Sequence, residues 1–200
     1  MKKTNKKPLI ALLALAVVGV VGGTFAYFTN EATFENKFQT SIYKTEATET
    51  FSAPTDWKPG DITPKTVVVT NKGDVPVAVR VSYTEKWVAA DGTTELPLQD
   101  NGKDVAVINF ANEADWTKSG DYYYYKNKAA LAKDASTTSF IESVTYNSEI
   151  VPEMDCTTTT GTGTKTVTCQ PAEGSYAGAT YTLSIKVETL QQDAAATVWA

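Results

Sequence analysis

"NKGDVPVAVRVSYTEKWV", Asn71 to Val88, decides the fold class. Val75, Val77, Val79, Val81 and Tyr83 occupy the odd positions, and Ala78, Arg80, Ser82 and Thr84 alternate with them. Side chains of a strand point by turns to the two faces of a sheet, so this period of two specifies an extended segment with one buried face. A helix would scatter the same valines around its circumference. Pro76 suits a strand entry or a sheet edge, because proline has no N–H to give to a ladder. Just before it, "DWKPGDITPKTVVVTN" (56–71) reads as a Pro/Gly turn and a strand, so the two segments together predict a hairpin.

Outward from this pair the pattern repeats. "DGTTE" (91–95) and "DNGKD" (100–104) are turn signals around "LPLQ", and "VAVINF" (105–110) is a short apolar strand. "DYYYYK" (121–126) predicts a strand whose four tyrosines divide between two faces, filling and edging a sheet or, alternatively, offering an adhesive patch. "KNKAALAKDA" (126–135) predicts one short helix. "SFIESVTYN" (139–147) and "SYAGATYTLSIKVETLQ" (175–191) add strands, the latter with Tyr181, Leu183, Ile185 and Val187 in alternation. About nine strands at short spacing with one short helix argue for an all-β, two-sheet β-sandwich.

The front of the chain differs. Lys2, Lys3, Lys6 and Lys7 precede "LIALLALAVVGVVGGTFAYF", which carries no charge from Leu9 to Phe28. Thr24 and Ala26 place small residues at the minus-three and minus-one positions of a cut between Ala26 and Tyr27, so residues 1–26 read as a cleavable signal helix; an uncleaved membrane anchor is the competing reading. Removing them takes away four lysines and no acids, leaving 14 basic against 23 acidic residues and a net charge of −9. A binder of phosphates needs a basic face, so nucleic acid is not an expected partner.

The chain contains no histidine. Imidazole-dependent serine or cysteine catalysis, the HExxH arrangement and His-ligated zinc all lack their residue. Its two cysteines, Cys156 and Cys169, flank "TTTTGTGTKTVT", which in an exported chain predicts a disulfide across a hairpin, worth about 3 kcal/mol on the loop-entropy account. Asp100, Asn101 and Asp104 make a partial calcium-like loop without EF-hand spacing, and a turn is the expected form. The acids show no pairing that suggests glycoside hydrolysis. Neither a metal nor a cofactor is expected, and no enzyme activity.

From Tyr27 to Tyr43 the even positions carry Phe28, Asn30, Ala32, Phe34, Asn36, Phe38 and Ile42, whereas the odd ones carry Thr29, Glu31, Glu35, Lys37 and other polar residues between the two tyrosines. One extended strand of that length would reach about 55 Å, more than a compact domain covers. Residues 27–38 therefore read as an N-terminal donor-strand arm ahead of a domain over 39–200. Tyr27, Phe28, Ala32, Phe34, Asn36, Lys37 and Phe38 would add to the open edge of a neighbouring copy. Such an interface is heterologous and builds a fibre. The alternative is a first strand over 34–43 behind a frayed terminus.

The junction "VVGGTFAYFTN", the segment "ATFENKFQTSIY" and the run "WKPGDITPKTVVVTNKGDVPVAVRV" resemble the biofilm-matrix proteins of the TasA/camelysin type that are processed by the dedicated signal peptidase SipW, and are most similar to the BsaA-like matrix proteins of clostridia. The ending "TYTLSIKVETLQQDAAATVW" is similar to that family's last strand. The resemblance implies a jelly-roll-like sandwich, secretion to the extracellular matrix or cell surface, and a head-to-tail homopolymer made by donor-strand addition. Its implied partners are further copies of itself, the signal peptidase during export and an accessory matrix subunit. A Lys-to-Asn cross-link through Asn36 and Lys37 is a further implication. Two other functions compete: a monomeric adhesin or glycan-binding module stacking sugars on Trp57, Trp87, Trp116, Trp199 and the tyrosines, and a camelysin-like endopeptidase.

Overall fold

The computed structural model describes residues 43–199. In chain order its strands are β1 (Thr45–Phe51), β2 (Ile62–Asn71), β3 (Val77–Val88), β4 (Glu95–Leu96), β5 (Gln99–Asp100), β6 (Lys103–Asp104) and β7 (Ala106–Phe110). They continue as β8 (Trp116–Ser119), β9 (Tyr122–Tyr125), β10 (Ile141–Tyr146), β11 (Met154–Gly161), β12 (Thr164–Pro171) and β13 (Thr180–Gln191), and helix α1 (Gln192–Val198) ends the described chain. One sheet has the order β1-β2-β10-β7 and the other β13-β3-β9-β8, with β4 paired to β3. The pairs β5-β6 and β11-β12 are separate two-stranded hairpins. This is the expected all-β sandwich.

The inward valines form its centre. Val67 and Val69 of β2 pack with Val77, Val79 and Val81 of β3, Phe140 and Ile141. Phe140 is fully buried, with the rings of Phe110, Trp116 and Tyr123 at 5.2, 5.1 and 5.0 Å. A second cluster gathers around Trp87, Leu96, Val105, Tyr146 and Tyr176.

Two sequence expectations are corrected. β2 and β3 are not a hairpin but lie in different sheets. All twelve residues of β3 are paired with β13, from Val77↔Gln191 to Val88↔Thr180, which takes one edge of β3, while β9 and β4 take parts of the other. Asn71 makes the crossing: fully buried, it donates from Nδ2 to the carbonyls of Val75 and Leu131 and accepts from the Gly73 N–H. Those bonds satisfy a polar group that the core would otherwise penalise.

The helix expected over 126–135 is absent. Lys126, Asn127 and Lys128 have φ of 43°, 51° and 68°, a left-handed run that no right-handed helix admits. Leu131 is instead a buried plug, exchanging main-chain hydrogen bonds with Val77 at 2.7 and 3.1 Å. The helix that does form, α1, begins with Asp193 in its first turn and buries Ala195. Its alanines favour the helix, and its packing explains why Ala78 on the outer face of β3 is as buried as its inward neighbours.

The tyrosines divide as the strand period requires. Tyr123 and Tyr125 face inward, against Phe140 and Trp116, while Tyr122 and Tyr124 face outward. There the Arg80 guanidinium lies 3.8 Å from the Tyr122 ring and 4.6 Å from that of Trp199, and donates to Glu188 at 2.8 Å.

Cys156 and Cys169 are directly opposite in β11-β12 and form the predicted disulfide. Every residue of both strands is exposed, so the hairpin projects from the sandwich instead of contributing to its core. Its cross-link should therefore stabilise the hairpin alone. Replacing both cysteines by serine is expected to abolish amide-exchange protection in β11 and β12 while lowering the melting transition of the sandwich by much less than the ~3 kcal/mol of the loop-entropy account. Thermal unfolding and hydrogen exchange measure the two effects separately.

Candidate functional site

The candidate site is a seam between two sheet edges. β13 is the edge of one sheet and β1 the edge of the other, on the same side of the sandwich. Among the described residues no strand pairs with the outer edge of β13, although the strand is twelve residues long. Its inward side chains Tyr181, Leu183, Ile185 and Val187 reach the core clusters and remain only half-buried. Across the seam, every residue of β1 after Thr45 is exposed. A sandwich normally covers both inner faces, so an edge that no strand among the described residues pairs with, above an incompletely covered apolar row, is a place for another strand.

Each end of the seam has its own chemistry. At one end the Tyr43 hydroxyl donates to Thr189 Oγ1 at 2.7 Å, and Thr45 Oγ1 lies 3.1 Å from the same atom. Burial pushes the Tyr43 hydroxyl above its ordinary pKa, opposed by that bond to Thr189. The other end opens into a cavity of about 590 Å³ bordered by Phe51, Trp57, Lys65, Trp87, Tyr181 and Leu183. Trp57 stacks on Trp87 at 5.9 Å, and Tyr181 lies 5.0 Å from Trp87. Trp57 Nε1, Trp87 Nε1 and the Tyr146 hydroxyl are buried without a hydrogen-bond partner among the described residues. Burial, with the nearby Tyr176, pushes the Tyr146 hydroxyl up to about 12.

Lys65 lies on the seam floor. It is 4% exposed, forms an ion pair with Glu49 of β1, and holds its ammonium 4.4 Å from the Phe51 ring centroid. A buried ammonium is tolerated only with such partners. The sequence signal for it was available, since Lys65 is in phase with the inward Val67 and Val69.

Glu85 is the corresponding inward acid of β3, in phase with Val81 and Tyr83, and accepts from the Tyr181 hydroxyl at 2.7 Å. Together with Asp104 it borders a second cavity, of about 620 Å³. Burial raises the Glu85 carboxyl above its usual range; the Tyr181 bond opposes this and the charge of Asp104 adds to it. "DNGKD" is a tight hairpin with Asn101 and Gly102 at φ of 48° and 77°. Its Asp104 carboxylate accepts from Gln99 Nε2 at 2.7 Å.

The signal junction, Ala26 and Tyr27, and the arm residues Phe28, Ala32, Phe34, Asn36, Lys37 and Phe38 lie outside the described residues. The rings considered for glycan stacking are largely packed: Trp87, Trp116, Trp199, Tyr124 and Tyr125 are buried, and Trp57 is half-buried.

The chain belongs to the camelysin metallo-endopeptidase family, whose profile matches residues 2–155. The match ends one residue before Cys156, so β13 lies beyond it. No curated protein and no solved structure matches the chain. Membership supports a matrix or camelysin-type protein, and the family's name implies a metal. The donor set does not fit one: the sequence has no histidine, both cysteines are joined in the disulfide, and among the described residues no group of three or more carboxylates and thiols is placed to hold an ion.

The raised Glu85 carboxyl sets a pH dependence. A group whose pKa is raised by folding contributes stability below its unfolded pKa, and that contribution is lost as pH rises through the folded value. Glu85→Gln is therefore expected to melt above the parent at pH 7 and together with it at pH 3, in thermal unfolding at both pH values. A parent more stable than the variant at pH 7 contradicts this.

Proposed function

We propose that this chain is a secreted structural subunit of an extracellular matrix, exported with residues 1–26 as a signal peptide and joined head to tail through its freed N-terminal segment, Tyr27 to Phe38. The observation that carries the reading is the half-buried apolar row of β13, twelve residues long, beside an edge that no strand among the described residues pairs with. A segment with apolar residues on alternate positions is the complement of such an edge: main-chain hydrogen bonds supply direction, and Phe28, Phe34 and Phe38 supply buried area. Each buried phenylalanine contributes about 1.5–3 kcal/mol.

Family membership supports the matrix class, and the disulfide agrees with an oxidising compartment. Among the described residues no helix is long and apolar enough to cross a membrane. The peptidase reading has no suitable ligands among these residues, and of the rings proposed for the adhesin reading Trp87, Trp116, Trp199, Tyr124 and Tyr125 are buried and Trp57, Tyr122 and Tyr123 half-buried. Export gives the order of events: the arm becomes available to a neighbour only when the signal segment is removed.

The test compares recombinant protein beginning at Tyr27 with protein beginning at Thr40. The longer form is expected to sediment as long assemblies and show fibres by electron microscopy, and the shorter to sediment as a monomer. Equal assembly of both forms would sink the reading.

A further inference from the structure

We propose that the cavity bordered by Trp57, Trp87, Tyr146 and Lys65 is a binding site for a small apolar carboxylate. The site lies within one subunit and does not depend on assembly.

One wall is built by the turn between β1 and β2. Gly60, at φ of 95°, takes a backbone conformation that other residues rarely adopt. Its N–H donates to the Tyr146 carbonyl at 2.7 Å, and the Tyr146 N–H donates to the Asp61 carbonyl at 2.9 Å. The Lys58 N–H donates to the Asp61 carboxylate at 2.8 Å, which closes the turn. These bonds tie the segment carrying Trp57 to β10. The Trp57 ring is thereby held 5.9 Å from Trp87, 5.1 Å from Tyr146 and 5.6 Å from Tyr181. Beside these rings lies the cavity of about 590 Å³, bordered also by Phe51, Val144 and Leu183, and its volume is that of a small-molecule site.

The polar groups identify the ligand. Tyr176 and Tyr181 also border the cavity, but their hydroxyls are in use, donating to the Pro97 carbonyl at 2.8 Å and to Glu85 at 2.7 Å. Trp57 Nε1, Trp87 Nε1 and the Tyr146 hydroxyl have no partner among the described residues, although Trp87 is only 1% and Tyr146 3% exposed. Buried groups of this kind normally have one. An indole N–H can only donate, and the Tyr146 hydroxyl, its pKa raised by burial, keeps a proton to donate. Lys65 borders the same space with an ammonium of which Glu49 takes one N–H. Asp56, the acid on the border, is paired with Lys58 at 2.6 Å. The cavity therefore offers donors and a cation against aromatic and aliphatic walls. An anionic acceptor on an apolar body complements both, whereas an amine would bring more donors. Lys65 is already shared with Glu49 and can offset no more than a single negative charge, which suits a carboxylate and not a phosphate dianion.

Equilibrium dialysis of the mature chain beginning at Tyr27 tests the site. The probes are phenylacetate and octanoate, which carry the same carboxylate on an aromatic and an aliphatic body, and phenethylamine, which carries an ammonium instead. Saturable binding of one molecule per chain is expected for at least one acid and none for the amine, and the tighter acid identifies the body. Tyr146→Phe removes only the unpartnered hydroxyl, so it is expected to weaken acid binding about tenfold or more while the melting transition without ligand stays the same or rises. Lys65→Met is expected to weaken acid binding by a similar factor, and Trp199→Phe, which alters an indole outside the cavity, to leave it unchanged. No binding of either acid at millimolar concentration overturns the site and leaves its three donors to water. Amine binding as tight as that of the acids, or acid binding unchanged in Lys65→Met, overturns the carboxylate as ligand. Acid binding equal in the parent and in Tyr146→Phe overturns the cavity as its location. Should Lys65→Met lose the melting transition, the amine comparison alone decides the charge.

Discussion

β13 contributes one edge to a full-length ladder with β3 and leaves the other without a strand among the described residues. Main-chain donors and acceptors along such an edge can be satisfied by water, but the inward row beneath it cannot be covered that way. Tyr181, Leu183, Ile185 and Val187 stay half-buried because the opposite sheet provides Val67 and Val69 as floor and only the exposed β1 as flank. A soluble sandwich pays for such an edge in exposed apolar surface and in the hazard of unplanned pairing. Under the proposed assembly the same feature would receive a segment of another molecule, and residues 27–38 carry apolar residues at alternate positions of the sequence.

The position of Lys65 fits this picture. A sandwich core built for stability alone would carry a third valine there, in phase with Val67 and Val69. Replacing a buried ion pair by apolar residues is often neutral or stabilising, so the Lys65–Glu49 pair is more readily explained by specificity than by stability. On the outer face, Arg80, Glu188, Tyr122 and Trp199 tie α1 over one end of β3 and β13, while Thr182, Ser184 and Lys186 farther along β13 are exposed.

Local chemistry was legible in the sequence and long-range pairing was not. Alternation in 77–83, in 181–187 and in the four tyrosines gave strands with the correct inward faces, and the Thr-rich segment between the cysteines gave the disulfide hairpin. The error over β2 and β3 arose because a turn signal specifies a change of direction and says nothing about whether the next strand pairs or crosses to the facing sheet. The error over 126–135 arose because alanine and lysine favour a helix only where tertiary contacts permit it, and here Leu131 is drawn into the core beside Val77. The seam itself is a property of sheet order, which period-two patterning cannot reveal. The family name drew attention to a metal, whereas the residues draw it to an edge.

Hydrogen exchange along β13 is the most direct measurement of the central claim. On alternate residues of this strand the N–H groups point to β3 and to the opposite edge. The mature chain is compared as dilute monomer and after assembly. The account predicts that the outward set exchanges quickly in the monomer and becomes protected in the assembled state, while the set bonded to β3 is protected in both. Outward amides already protected in the dilute monomer, or still unprotected after assembly, would contradict it.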